Sequence, residues 1–256
     1  MMFTRRRRRT VQEGPYWKQR GWQMSAGFLA AVVVLAGIVA LTSGGDDGAG
    51  HTEAAASGGP PTGGTLTSDG RPPGCHTDEA PGNTVPATAP HDVSWRAIGV
   101  VRVPVSAAAG PTVTDRAPWW CFAHTPVGSV LAAQVITSQM SEAHWRTVAD
   151  RQLVPGRGRD RFVFHRSTVG STGTERRPDS ASVSSYAGFA VTRYDGKDST
   201  VDLLIKSSQG YAATSIDLRW SGGDWKVVPS GDGSLHSPVR SVQNANGYVV
   251  WGGTRA

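Results

Sequence analysis

The chain has 256 residues, with 26 Lys and Arg against 20 Asp and Glu, a net charge of +6, and only two cysteines. Seven of the cations and one of the anions precede residue 26, so the remainder balances at 19 against 19 and the basic excess is confined to the head. That distribution reads as a topology signal and is no evidence for a basic nucleic-acid-binding domain, since the five-arginine run that could touch nucleic acid has no aromatic interleaving or fold around it. The chain also lacks a Gly-x-Ser-x-Gly elbow, a His-Glu-x-x-His helix, a Walker loop and a dinucleotide fingerprint, which removes the common enzyme signatures.

Residues 1–25 read as a basic tail, in which Arg5, Arg6, Arg7, Arg8 and Arg9, with Lys18 and Arg20, face a single anion, Glu13. Ala26 to Thr42 then carries no charge. Seventeen helical residues rise about 26 Å, and the uncharged window from Gly21 to Ser43 extends that to the thickness of a hydrocarbon core, about 30 Å. The run is predicted to be a transmembrane helix over 26–42. A cleaved signal peptide fits less well: 25 residues precede the run, Leu41-Thr42-Ser43-Gly44 is a poor cleavage site, and no cysteine follows for lipid attachment. Basic flanks stay cytoplasmic, so the expected arrangement is single-pass in the cell membrane, N-terminus inside and body outside. Such a block gains about 1 kcal/mol per cation beside anionic lipid, and Trp17 and Trp22 fall at headgroup level, so membrane lipid is an expected partner. Gly27 with Ala31, and Ala36 with Ala40, share helix faces and would permit a homo-oligomer through the membrane.

From Ser43 to Gly74, 14 of 32 residues are Gly or Pro and Leu66 is the only large aliphatic. Such a segment buries too little apolar surface to offset its ordering entropy, so 43–74 is expected to be a tether with a mean reach of roughly 30 Å. Cys75 opens the folded part, expected over 75–232, and is predicted to pair with Cys121 in an oxidising compartment; closing that loop is worth about 3 to 4 kcal/mol in the chain-entropy model. The rival is a metal site built from Cys75-His76 and Cys121-x-x-His124, although adjacent ligands are awkward on one zinc.

Trp95 to Val105 alternates as one strand or an extended strap, which Pro104 would place at an edge. Thr125 is a plausible N-cap ahead of Pro126, and Val127, Val130, Leu131, Val135 and Ile136 recur at helical spacing. A second helix is expected to open at Ser141-Glu142, to line up Trp145, Val148, Ala149 and Gln152, and to end at Pro155-Gly156. Arg157, Arg159 and Arg161, with Arg151, then surround Asp160 in a glycine-rich turn. They read either as a docking site for an anionic partner or as a solvated loop, the loop being favoured. Ser167 to Ser182 reads as loop. Alternation through Ala187–Tyr194, Val201–Lys206 and Ala212–Trp220, a turn at Asp195-Gly196 and a glycine hairpin between Trp220 and Trp225 predict an antiparallel meander. The fold expected is α+β, two helices packed on the concave face of a curved antiparallel sheet. The segment 233–256 holds one strand candidate, Tyr248 to Trp251, and its packing stays open.

The stretch Ser215-Ile-Asp-Leu-Arg-Trp-Ser-Gly-Gly-Asp-Trp-Lys-Val-Val resembles the closing hairpin of nuclear transport factor 2-like domains, whose cone the fold would then share. With an anchor ahead of it, the layout resembles the bitopic assembly component of type IV secretion and conjugation systems. Trp120 to Gly128, with Gly74-Cys75, resembles an actinobacterial single-pass exported domain of unknown function. These resemblances imply a non-enzymatic scaffold with protein partners in a membrane complex. The alternatives are an extracytoplasmic ligand-binding or sensor protein and a cone-pocket hydrolase or isomerase. For the last, His124, His165, Asp202 and Asp217 are available, but both aspartates fall on the polar phase of their strands. Trp95, Trp120, Trp145, Trp220 and Trp225 would either line a ligand cavity or fill the core, the latter being favoured. No catalytic residue, metal, cofactor or specific nucleic acid is predicted.

Overall fold

The computed structural model describes residues 65–80, 82–169 and 185–252. The arginine block, Trp22, the apolar run 26–42 and the linker as far as residue 64 lie outside the described residues. Among the described residues no helix is long and apolar enough to cross a membrane. The architecture is α+β, with three helices and antiparallel sheets among the described residues.

Val93–Ile98 (β1) and Val101–Ser106 (β2) form a two-stranded hairpin, in register from Val93↔Ser106 to Ile98↔Val101. The alternation expected to run straight from Trp95 to Val105 is therefore folded back at Gly99. A φ of 56° there turns the chain in a region that glycine enters without steric cost.

Pro126–Gln139 (α1) starts as its capping residues dictate: Gly128 N donates to Thr125 Oγ1 at 3.2 Å, and Pro126 opens the first turn. It packs against the main sheet, the hairpin strand β2 and the next helix, so it is enclosed rather than amphipathic. Its polar residues are buried with it: Ser129 Oγ lies 2.8 Å from Ser199 Oγ, and Gln139 Oε1 accepts from Trp119 N at 2.7 Å. Trp145–Gln152 (α2) starts four residues later than its sequence signal, because Ser141 and Glu142 continue the turn that closes α1.

Arg157–Val169 (α3) is a correction. The arginines expected in a glycine-rich turn, and the first residues of the expected loop at Ser167, are helical. Gly158 misleads because it serves packing: a Cβ there would lie 2.5 Å from Pro229 O and 2.6 Å from Ser230 O. Its absence lets α3 settle on the chain that follows the sheet.

The main sheet comprises Ser185–Tyr194 (β3), Asp198–Ser207 (β4), Gly210–Ser221 (β5), Asp224–Val227 (β6), Arg240–Val242 (β7) and Val249–Val250 (β8), in the order β6-β5-β4-β3-β8 with β7 also on β5. β4 and β5 pair over ten residues, from Asp198↔Arg219 to Ser207↔Gly210. Asp195 Oδ1 accepts from Lys197 N and Asp198 N at the β3–β4 turn. Gly222 and Gly223, both at positive φ, turn β5 into β6 and set Trp220 opposite Trp225. The C-terminal segment, whose packing the sequence leaves open, closes the fold: Trp251 is 2 % exposed, 4.7 Å from the Phe189 ring and edge-on to Trp95.

Candidate functional site

Three places in the fold gather polar or cavity-forming residues. Near the start of the described residues, Cys75 and Cys121 form a disulfide with Cα atoms 5.3 Å apart. Both sulfurs are thereby committed to each other, which removes the thiolate ligands of the rival metal reading. Arg71 is buried beside them, its Nη2 donating to Phe122 O at 2.8 Å and to Thr77 Oγ1 at 3.0 Å and lying 2.8 Å from Cys75 Sγ. Its Nη1 stands 3.6 Å from Glu79 Oε1, an ion pair without a hydrogen bond.

Below this cation lies Asp224, fully buried, whose carboxylate accepts from Cys121 N at 2.8 Å and from Phe122 N and Trp225 N at 3.0 Å. Burial pushes its carboxyl up to about 6, against the pull of those N–H groups and of Arg71. The same contacts hold Cys121 at a φ of 74°, a left-handed conformation unusual for a side-chain-bearing residue. His124 stacks on Trp220 with centroids 4.0 Å apart, Nε2 is 2.5 Å from Gly196 O, and its backbone N–H donates to Glu79 Oε2 at 2.6 Å. Tyr194 donates to His124 O, and burial together with the carboxylates of Glu79 and Asp195 pushes its phenol up to about 12.

The second place is the outer face of α3. Arg157 and Arg161 are exposed and one helical turn apart, with Asp160 between them and Phe164, 70 % exposed, on the same arc. Arg161 donates to Gly231 O at 2.9 Å. Arg159 turns the other way and pairs with Asp150 at 3.7 Å. The three arginines singled out in the sequence thus divide: Arg157 is exposed, Arg161 is exposed but tied to Gly231 O, and Arg159 is half-buried against Asp150.

The third place is a cavity of about 220 Å³ between α1, α3 and strands β3 to β5. Met140, Phe162, Leu203, Ile205, Ile216 and Leu235 supply its apolar wall. Ser138, Tyr186, Thr214 and His236 bring polar groups to it, and Ser138 Oγ lies 3.1 Å from Tyr186 Oη. None of the five tryptophans considered as cavity lining touches it. Trp225 and Trp120 fill core instead, and Trp220 covers Arg71.

The remaining acid–base candidates do not converge. Asp202, expected to be solvated, is 9 % exposed because Arg240 Nη2 and Ser215 Oγ both reach it from the same face of the sheet. Asp217 is exposed and accepts from Thr200 Oγ1, and His165 is exposed on α3 against the Phe164 ring. Among the described residues no group of three His, Cys, Asp or Glu is placed to hold a metal ion. The sequence reading missed Arg71, Asp224, Ser138 and Tyr186. Arg71 lies in a linker-like composition. Asp224 carries a turn signal that hides its burial, and only its place directly before Trp225 in a four-residue strand hints at an inward carboxylate.

Neither the curated proteins nor the solved structures include a match to this chain. Residues 56–250, which contain both cysteines and every helix and strand among the described residues, match the family model "Domain of unknown function (DUF8175)", and the chain belongs to that family.

Proposed function

We propose that this chain is a membrane-tethered, extracytoplasmic protein-binding module, a structural component of a conjugation or secretion apparatus whose body has the cone layout of nuclear transport factor 2-like domains. The observation that carries the reading is the clamp at the linker's end. A buried disulfide persists in an oxidising compartment, and this one bolts the incoming chain to the start of α1 and, through Asp224, to the β5–β6 hairpin. A pull on the tether would enter the body through its most cross-linked corner, which suits a stand-off subunit.

Membrane lipid meets the arginine tail in this reading, and a protein subunit of the same complex meets α3 through Arg157, Arg161 and Phe164. Binding is favoured over acid–base chemistry because the side chains such chemistry would use are occupied structurally, Asp202 by Arg240 and His124 by Trp220 and Gly196. The test is topology in intact cells. Added protease should remove the body and spare the N-terminus, and a thiol-alkylating reagent should label Cys75 and Cys121 only after denaturation with reductant. A protected C-terminus, or two thiols that label without reductant, would refute the reading.

A further inference from the structure

We infer that the cavity between α1, α3 and β3–β5 is a binding site for a neutral, ring-sized apolar molecule carrying one hydrogen-bonding oxygen, which the Ser138–Tyr186 hydroxyl pair recognises. This goes beyond the scaffold role and does not rest on it.

Size sets the first limit. An apolar cavity of about 150 Å³ takes up benzene, so one of about 220 Å³ has room for a ring with a short substituent. Charge sets the second. No Asp, Glu, Lys or Arg lines the space, and an ion entering it would lose its hydration without a partner.

The polar pair sets the third limit. Tyr186 is buried, which pushes its phenol up and keeps it protonated, and its Oη shares one proton with Ser138 Oγ across 3.1 Å. Two hydroxyls carry two protons. One is used between them, and Thr137 is a second hydrogen-bonding neighbour of the Tyr186 hydroxyl, so the cluster offers an oxygen-bearing ligand its hydroxyl lone pairs and at most one further proton. His236 Nδ1 lies 2.8 Å from Ser237 O and 3.4 Å from Thr214 Oγ1, which fixes the ring at the rim of the space.

The site is preformed and reachable. Thr137 and His236 are half-buried and Ser234 is exposed, which marks the mouth. The wall formed by 233–239 is pinned to α3, since a Cβ at Gly233 would lie 2.7 Å from Phe162 N. Little ordering is therefore required when a ligand enters.

The chain itself provides the reporter. Its methionines are Met1, Met2, Met24 and Met140, so Met140 is the one outside the head, and it lines the cavity. Full-length protein labelled with ¹³C at the methionine methyls and held in lipid nanodiscs is titrated with p-cresol, toluene and benzoate. We expect p-cresol to shift the Met140 methyl saturably, toluene to bind about tenfold more weakly for want of the hydrogen bond, and benzoate to leave it unmoved. Tyr186→Phe and, independently, Ser138→Ala should bring p-cresol down to the toluene level without changing toluene. Leu235→Trp should abolish both shifts while Met24 stays in place. The inference is overturned if no probe moves Met140 saturably, if Met24 moves in parallel as it would for simple partition into lipid, if benzoate binds as p-cresol does, or if p-cresol keeps its advantage over toluene in both hydroxyl deletions. Met140 reports whether or not the head inserts in the bilayer, so failure of the anchor would leave this result legible.

Discussion

Replacing both cysteines, Cys75→Ser together with Cys121→Ser, tests the clamp most directly. The crosslink spans 46 residues, and a loop of that length constrains the unfolded chain by about 4 kcal/mol at 25 °C in the chain-entropy model. Against a usual domain stability of about 5 to 15 kcal/mol, that is a large share. The substitution is nearly isosteric, and a hydroxyl at position 75 still accepts from Arg71, so no buried donor is orphaned on that side. Equilibrium urea unfolding of the full chain in nanodiscs, followed by tryptophan fluorescence, is the assay. With a slope near 2 kcal/mol/M the midpoint should fall by about 2 M. The intact protein should resist reductant until it unfolds, because Cys75 is 3 % and Cys121 0 % exposed. A midpoint change worth less than about 1 kcal/mol would refute the argument, since segment 65–80 would then be held by Arg71 and its neighbours alone.

Asp224 should give the protein an inverted pH dependence. Its carboxyl is raised in the fold from 3.8 to about 6, so the folded state binds the proton more tightly than the unfolded one. Its contribution is therefore greatest below pH 4 and declines by about 3 kcal/mol as the pH rises through 6. Glu142, also raised by burial, has the same sign, so the comparison is with Asp224→Asn: the slope between pH 4 and 7 should flatten in the variant, and an unchanged slope would assign it elsewhere. Gly128→Ala should destabilise by more than about 2 kcal/mol despite alanine's better helix propensity, because its Cβ would sit 2.0 Å from Ala123 O; a stabilised variant in thermal unfolding would contradict that contact. Trp251→Ala should cost about 3 to 5 kcal/mol by emptying the space beside Phe189 and Trp95, and a loss under 1 kcal/mol would mean that the C-terminal segment does not close the core.

The elements read correctly are those whose signals lie within a few residues of where they act. Thr125 and Pro126 start α1, Asp195-Gly196 and Gly222-Gly223 turn the strands, and alternation places Leu203, Ile216 and Leu218 inward. Two cysteines in one chain left a single crosslink to draw. The errors arise where a residue acts at a distance. Gly158 reads as a turn but makes room for Pro229, and Gly99 breaks an unbroken alternation.

By itself the sequence determined the α1 cap, the β3–β4 and β5–β6 turns, the alternation of β4 and β5 and the choice of one disulfide, because each depends on short-range sterics or on simple counting. The tertiary structure alone decided that Asp224 would meet Cys121, 103 residues away, that Arg71 would be buried under Trp220, and that Ser138 and Tyr186 would share a cavity. Such meetings follow from how helices and sheet settle against one another. A polar side chain on a strand or linker looks the same in sequence whether it ends in water or beneath another layer, and only the packing of the whole body distinguishes the two.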